Sequence, residues 1–263
     1  MKNYYYVHTG HRIGLDRFRR AVVIINELQN KGVDITLLCS DFRIASEARD
    51  FGVEKSVGID VVRNIPHIAN HGDRLIFDSD EANPIMLEDM KEYFSTFDHI
   101  KADEIVVDEK YFKKYEKKIP LSFFFGDDDY EKDLEKLIPA LKELDVSLLL
   151  GYYYFFDYED MLKENFKNSY EFEDYDEVIT SSEVLITASP QAVLECLASG
   201  GKPIFLKRED YLDDFSDVFK ELNIPIVNIA DLSQKHDVLY DVSNNKYQQI
   251  SINSLNFLSF IDN

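Results

Sequence analysis

The first 40 residues alternate between strand and helix patterns, and this alternation constrains the fold more than any other feature. A β-rich run over 2–7 leads through the loop HTGHRIG into a helix pattern over about 15–31, which ends at Gly32. Glycine readily takes the left-handed conformation that follows a helix. The apolar run VDITLLCS (33–40) comes next. Strand, helix and strand in this order predict a βαβ unit, and therefore an α/β fold on a parallel sheet.

The same alternation extends over the rest of the first half. It predicts helices near 43–51 and 84–94, a helical or irregular stretch over 60–71, and strands at 53–59, 74–80 and 104–112. The charged segment KKYEKKIP (113–120) has no apolar periodicity and ends in proline, which is typical of a linker.

Strand and helix patterns resume after this linker. They predict strands at 121–125, 146–151, 183–188, 203–207 and 224–229, and helices at 131–144, 190–199 and 210–222. The tail, 246–263, has apolar residues at helical spacing, and the aromatic run YYYFF (152–156) is interpreted as core and cleft lining. The chain is thus expected to form two Rossmann-like α/β domains, 1–118 and 119–263.

Acidic residues are concentrated in the second half. Residues 1–118 carry 18 basic and 21 acidic side chains, whereas residues 119–263 carry 11 and 29, so most of the net charge of −21 lies after residue 118. A negative field of this size repels nucleic acid and anionic membranes. It serves either solubility or an acidic docking surface for a basic protein partner.

The chain contains two cysteines, Cys39 and Cys196, in apolar surroundings, as expected of buried thiols in a reducing cytoplasm. No run approaches the roughly 18 apolar residues of a membrane span. The first ten residues lack the pattern of a signal peptide. We therefore expect a cytoplasmic protein without membrane insertion.

The loop after the first strand is the strongest candidate for ligand chemistry. Four of the nine arginines, Arg12, Arg17, Arg19 and Arg20, surround the start of the first helix, where backbone amides and the helix dipole also favour an anion. Alternatively, some of these arginines pair with Asp16 or Glu27.

The same loop contains two histidines. His8 and His11 could ligate a metal, form ordinary hydrogen bonds, or, in the case of His11, act as a general base. In the second half, the consecutive carboxylates Asp127, Asp128 and Asp129 could hold Mg²⁺ or cap the helix that follows them.

Three segments resemble a known family. They are IGLDRFRRAVVIINELQNKGVDITLLCSD, LSFFFGDDDYEKDLEKLI and SSEVLITASPQAVLECLASGGKPIFL, and they are spread over most of the chain. They resemble the GT-B-type UDP-sugar hydrolase of the pseudaminic acid pathway, a relative of the MurG-like glycosyltransferases. The resemblance implies two Rossmann-like domains in a GT-B-type arrangement, with the active site in an interdomain cleft.

The resemblance also implies roles for individual residues. Gly14 matches the first glycine of the opening motif, Arg20 matches its arginine, and the second glycine becomes Asp16. The position of the catalytic histidine holds Arg17, which cannot accept a proton. His11 or Asp16 would then be the base.

In the second half, the implied contacts to the nucleotide-sugar come from Asp128, Ser189, Gln191 and Glu195, with Glu195 on the ribose. Two glycines and a threonine of the family's phosphate loop are replaced by Ser189, Pro190 and Ala192. Ser189 remains suited to cap a helix, and Pro190 to occupy its first position.

The resulting hypothesis is hydrolysis of a UDP-linked deoxyamino sugar in surface or flagellar glycan synthesis, with no metal and no cofactor. Two alternatives stand beside it. One is a catalytically inactive relative that binds or scaffolds, and the other is a GT-B glycosyltransferase.

Overall fold

The computed structural model describes residues 1–211, 215–234 and 245–251. The described chain divides into two compact units, residues 1–106 and the residues from 107 onward, so the division precedes the predicted boundary at residue 118. Each unit contains one sheet in which all strand pairs are parallel.

The first unit is a five-stranded α/β unit. Its elements in chain order are β1 (Asn3–Val7), α1 (Asp16–Asn30), β2 (Ile35–Cys39), α2 (Phe42–Glu47), β3 (Ser56–Gly58), β4 (Arg74–Asp78), α3 (Pro84–Tyr93) and β5 (Thr96–His99), with a 3₁₀ helix at Val62–His67. The strand order is β3-β2-β1-β4-β5. Successive strands are added on one side of β1 up to β3 and on its other side from β4 onward. The topological switch point therefore lies between β1 and β4, which is the position where open parallel sheets bind ligands.

Alternation along β1 explains how this sheet is covered. Tyr4 and Tyr6 pack with Phe77 in one apolar cluster, whereas Tyr5 points to the opposite face and is also buried. Successive side chains of a strand face opposite sides of the sheet, so a strand covered on both faces is apolar at every position. Helix α1 ends as predicted, with Gly32 at φ +84° and the Val33 amide donating to the Leu28 carbonyl.

The second unit is a six-stranded α/β unit. Its elements are β6 (Ile119–Phe124), α4 (Asp133–Glu143), β7 (Ser147–Leu149), α5 (Phe156–Asn165), β8 (Ser169–Tyr170), α6 (Tyr175–Ser181), β9 (Ser182–Thr187), α7 (Pro190–Ala198), β10 (Lys202–Lys207), α8 (Ser216–Glu221) and β11 (Ile226–Asn228). Its strand order is β11-β10-β9-β6-β7-β8. The chain reverses its direction of growth between β6 and β9, which places the carboxyl ends of these two strands at the ligand-binding position of the fold.

Both faces of the second sheet are buried. Phe123 and Phe125 lie in one core cluster with α4 and α5, whereas Phe124 lies in another with α6 and α7.

One close approach positions the loops after β6 and β7. A Cβ on Gly151 would lie 2.4 Å from the Gly126 carbonyl oxygen, so only glycine fits at residue 151.

Several predicted elements are wrong. Residues 104–112 form no strand, because the Asp108 side chain accepts from the Lys110 amide and starts a 3₁₀ turn at Glu109–Phe112. The fifth strand of the first unit is instead β5, which the sequence analysis missed. Ile119 and Pro120 belong to β6 and not to a linker.

The aromatic and C-terminal segments also differ from expectation. Tyr153 and Tyr154 are buried as predicted, but Phe155 and Phe156 are exposed and begin α5. Helix α8 begins at Ser216 and not at residue 210. The predicted helical tail is absent over 245–251, and its remainder, 252–263, lies outside the described residues.

Both cysteines are buried free thiols, as expected from their apolar surroundings, and burial raises the pKa of each to about 12. Within the described ranges, no helix combines the length and apolar character that crossing a membrane requires.

Candidate functional site

The carboxyl ends of β1 and β4 bring together the polar side chains of the first unit. His8 follows β1 directly, and its amide donates to the Asp78 carbonyl at 3.1 Å, which fixes its backbone at the end of β4. Its Nδ1 lies 3.2 Å from Oδ1 of Asp80. Arg17, in the first turn of α1, donates to the same oxygen at 2.8 Å. A histidine, a carboxylate and a guanidinium therefore meet at the switch point of this sheet.

The charge state of this group follows from its contacts. Hydrogen bonds from His8 and Arg17 hold the pKa of Asp80 well below its usual range, so the carboxylate remains ionised. A neutral histidine beside an ionised carboxylate donates Nδ1–H to it, which leaves Nε2 as the acceptor. Glu81 lies next to this pair and accepts hydrogen bonds from the hydroxyls of Tyr6 and Ser79.

The predicted bases His11 and Asp16 lie in or next to the same loop. His11 is half-buried within a turn closed by the amides of Ile13 and Gly14, both of which donate to the Gly10 carbonyl at 2.9 Å. Gly14 has φ +74° and is the position that the family resemblance matched to a glycine. Asp16 lies 3.7 Å from Arg19 in an i,i+3 pair. The roles of His11 and Asp16 as bases stay predictions.

The arginine cluster is largely neutralised inside the unit. Arg17 pairs with Asp80 and Arg19 with Asp16, as described above. Arg20 is buried and binds both oxygens of Asp78, and its remaining donors contact the carbonyls of Lys101 and Ala102. Arg20 thus joins α1, β4 and the segment after β5, which is a structural role. The predicted anion site stays a prediction.

The loop after β6 is packed against the end of β10 in the second unit. Asp128 is buried and accepts from the Tyr211 hydroxyl and, at 3.4 Å, from Arg208. The Arg208 guanidinium lies 4.5 Å from the ring centroid of Phe125 and 4.2 Å from that of Tyr211. It also donates to Asp210 at 2.9 and 2.6 Å. Burial raises the pKa of Asp128, whereas the hydrogen bond from Arg208 lowers that of Asp210.

The neighbouring carboxylate Asp129 caps α4. Its two oxygens accept from the amides of Asp133 at 2.8 Å and Leu134 at 3.0 Å, and the Tyr158 hydroxyl also donates to it. The capping alternative for the acidic run is therefore confirmed at Asp129. In the described ranges, no group of three or more His, Cys, Asp or Glu side chains is placed to hold a metal ion.

Ser189 and Pro190 begin α7 as the sequence predicts. Ser189 follows β9, and its hydroxyl accepts from the Ala192 amide at 3.1 Å. Its own amide donates to the Thr187 hydroxyl at 3.1 Å. The first turn of a nine-residue helix is therefore fixed at the carboxyl end of a central strand, where backbone amides and the helix dipole favour an anion.

Glu195 and Gln191 are buried on the same helix. One oxygen of Glu195 accepts from the Tyr175 hydroxyl at 2.7 Å, and the other accepts from the Gln191 side-chain amide at 2.8 Å. The two residues thus join α7 to the start of α6. Whether Asp128, Ser189, Gln191 and Glu195 contact a ligand stays a prediction.

Sequence reasoning singled out His8 as a possible metal ligand or hydrogen-bonding residue, but it missed its partner Asp80, and it also missed Arg208. His8 and Asp80 are 72 residues apart, and their meeting depends on β1 pairing with β4. The signal that could have found the two residues is local, because His8 is the first residue after the buried strand β1 and Asp80 the second after the buried strand β4. Arg208 carries the same signal, as the first residue after β10.

The fold is shared with solved sugar-handling proteins. The spinosyn rhamnosyltransferase SpnG, complexed with spinosyn aglycone, has a TM-score of 0.59 and 10% identity, with 92% of each chain covered. The UDP-GlcNAc 2-epimerase of Methanocaldococcus jannaschii, in complex with UDP-GlcNAc and UDP, has a TM-score of 0.57 and 10% identity, with 96% of each chain covered.

MurG of Acinetobacter baumannii has a TM-score of 0.50 and 13% identity, with 92% of each chain covered. The fold is that of the GT-B glycosyltransferases. No protein-family model matches the chain, and the comparison with curated proteins finds no significant match. At these identities the similarity establishes the GT-B fold alone.

Proposed function

We propose that this GT-B-type chain transfers the sugar of a UDP-linked donor to a hydroxyl acceptor, with His8 as the general base. The observation that carries the proposal is the contact between His8 and Asp80 at the switch point of the first sheet. The GT-B fold, shared with glycosyltransferases and with an epimerase solved with UDP-GlcNAc and UDP, supports the choice of donor.

The chemistry of the base follows from its partners. With Nδ1–H donated to Asp80, Nε2 of His8 takes the proton of the attacking hydroxyl as its oxygen bonds to the anomeric carbon. The bond from that carbon to the diphosphate oxygen breaks, and UDP leaves with the electron pair. Asp80 remains ionised, orients the ring and stabilises the imidazolium that develops. Arg17 donates to the same oxygen of Asp80 and, unlike the histidine expected at its position, serves as a positioning residue.

The donor diphosphate is assigned to the start of α7 in the second unit. Ser189 and the first amides of that helix suit an anion, as in other α/β folds that bind nucleotides. Three of the predicted contact residues are buried and already hydrogen-bonded to side chains of the same unit: Asp128, Gln191 and Glu195. We therefore assign them the positioning of loops and helices around the ligand.

Hydrolysis is the second candidate, and the similarity of three segments to the UDP-sugar hydrolase of the pseudaminic acid pathway favours it. The same base would deprotonate water in place of an alcohol. The two reactions differ in the acceptor alone, so one assay separates them.

The first test measures binding and turnover together. We expect calorimetry to detect micromolar binding of UDP and of UDP-N-acetylglucosamine at low salt. UDP release is then followed in water alone and with methyl glucoside or 4-nitrophenol as acceptor. Release that requires an acceptor indicates transfer, whereas equal release in water indicates hydrolysis. The absence of binding at millimolar UDP would contradict both and leave the inactive, scaffolding relative.

The second test identifies the base. His8→Gln is expected to lower kcat by about 10²- to 10⁴-fold, the usual contribution of a general base, with donor affinity unchanged. Asp80→Asn should lower kcat as well, because it removes the charge that stabilises the imidazolium. His67→Gln, an exposed histidine of the 3₁₀ helix in the same unit, is the matched control. A kcat that falls in His11→Ala or Asp16→Ala but not in His8→Gln would overturn the assignment.

A further inference from the structure

Two adjacent phenylalanines are exposed where β7 leads into α5. Phe155 is 66% exposed and Phe156 is 85% exposed, although the preceding Tyr153 and Tyr154 are buried. Large apolar side chains that protrude side by side on an otherwise polar surface are a common mark of an interaction site. This pair is not used by the proposed sugar transfer.

The base of the pair is held firmly. Tyr158 and Leu162 of α5 are buried in the core of the second unit, and the Tyr153 amide donates to the Asp127 carbonyl at 2.8 Å. The amides of Tyr158 and Glu159 both donate to the Phe155 carbonyl, at 2.8 and 2.9 Å. The two rings therefore extend from a fixed helix start, which reduces the ordering that a partner must impose on binding.

The chain segment that carries the pair is strongly acidic. Residues 152–177 contain nine acidic side chains and two lysines. The acidic residues are Asp157, Glu159, Asp160, Glu164, Glu171, Glu173, Asp174, Asp176 and Glu177. The pKa of Glu159 shows this crowding: burial raises it, Lys163 opposes the rise, and Glu171, Asp160 and Glu173 reinforce it.

We propose that Phe155 and Phe156 form the anchor of a docking surface for a protein partner that presents an apolar pocket rimmed by lysine and arginine. The charge of the surrounding segment selects the occupant, because it attracts a cationic rim and repels nucleic acid, anionic lipid and a second copy of this acidic chain. The protruding shape also favours a protein, since small ligands enter concave sites and aromatic anchors fill pockets of a partner.

The first test uses defined peptides on the full chain. A twelve-residue peptide of alternating lysine and leucine is expected to bind, and an alternating glutamate and leucine peptide is not. The double variant Phe155→Ser/Phe156→Ser should weaken binding at least tenfold, and raising the salt from 50 to 300 mM should weaken it by a similar factor.

The matched control is the double variant Phe42→Ser/Ile85→Ser, at two first-unit positions that are each 75% exposed. It removes a similar apolar surface and should change the affinity by less than twofold. Equal effects of the two double variants, or equal binding of the acidic peptide, would overturn the proposal. Thermal melting of both variants confirms that they are folded before the affinities are compared.

The second test examines the natural partner. Photoreactive benzoylphenylalanine replaces Phe156 in one sample and Ile85 in the control, in cells of the organism that makes the protein. We expect an adduct at position 156 alone, and its mapped peptide should come from a lysine- and arginine-rich surface. No adduct, an equal adduct at position 85, or an acidic partner peptide would contradict the proposal. All three outcomes are independent of whether the protein binds UDP.

Discussion

Arg20 and Asp78 form a buried ion pair in the first unit, and a residue-scale prediction follows from it. Their side chains are 4% and 1% exposed, and Asp78 also accepts from the Tyr5 hydroxyl at 2.9 Å. Removing one partner leaves the other charge buried and uncompensated. Arg20→Met should therefore destabilise the first unit by about 3–5 kcal/mol, measured by urea unfolding.

The control for this variant is an exposed pair on the same helix. Lys31 contacts Glu27 in an i,i+4 arrangement near the surface, so Lys31→Met should cost less than about 1 kcal/mol. The double variant Arg20→Met/Asp78→Leu should recover part of the loss, because no lone charge remains in the core. A loss below 1 kcal/mol in Arg20→Met would show that Asp78 is solvated without its partner.

The pairing of Arg19 with Asp16 was among the alternatives that the sequence offered, whereas the partners of Arg17 and Arg20 were not predicted. The sequence places Arg17 and Arg20 together at the start of α1. In the structure they bind different carboxylates, Arg17 that of Asp80 and Arg20 that of Asp78. Asp78 is the last residue of β4 and Asp80 lies two residues further on, so both carboxylates are 58 or more residues from the arginines. No local pattern records such a contact, because it depends on the pairing of β1 with β4.

At the scale of elements, the cap of α7 gives the next prediction. Ser189→Ala removes the acceptor for the Ala192 amide and should cost about 1 kcal/mol of stability. If the start of α7 binds the donor diphosphate, the same substitution should also weaken UDP binding about tenfold, measured by calorimetry. The predicted effect on UDP separates a binding role from a purely structural one.

Asn83→Ala provides the matched comparison for this cap. Asn83 caps α3 by accepting from the Met86 amide at 3.0 Å, so its loss should have a similar effect on stability and none on UDP. Equal UDP affinity in Ser189→Ala and Asn83→Ala would contradict the placement of the diphosphate.

Elements with strong local signals were predicted well, and elements without them were not. Helices α1 and α7 combine apolar periodicity with Gly32 or Ser189 at one end, and their positions agree with the sequence to within a residue or two. Strand β5, with the sequence TFDH, is a half-exposed edge strand without an apolar run. The YYYFF segment was misread because its uniform apolar character conceals a change from buried loop to exposed helix start.

At the scale of the whole chain, the acidic second half predicts a response to pH. Burial raises the folded-state pKa of Asp128 and Asp129 above the ordinary value of about 3.9. At pH values between the ordinary pKa and the raised folded-state pKa, the folded chain binds more protons than the unfolded chain. The free energy of unfolding therefore falls as the pH rises through this range. Lowering the pH from 7 to 4.5, toward the ordinary carboxyl value, should therefore stabilise the second unit, and it also weakens repulsion among its carboxylates.

The measurement is amide hydrogen exchange over 119–207, corrected for the intrinsic rate at each pH. The pKa values of Asp80 and Asp210 are lowered in the folded state. The stability that these two carboxylates contribute is therefore fully present above about pH 3.9 and does not change between pH 4.5 and pH 7. Asp128→Asn should reduce the gain. Lower protection at pH 4.5 than at pH 7 would contradict the prediction.

The outermost strands of both sheets share a property that bears on solution behaviour. Strands β3, β5, β8 and β11 contain two to four residues each, whereas β1, β6 and β10 contain five or six. An edge strand this short exposes few unpaired backbone groups to a neighbouring molecule. Over 1–211, 215–234 and 245–251, neither sheet therefore offers a long template for intermolecular strand addition, and we expect little growth of cross-β aggregates from these edges even when the chain is concentrated.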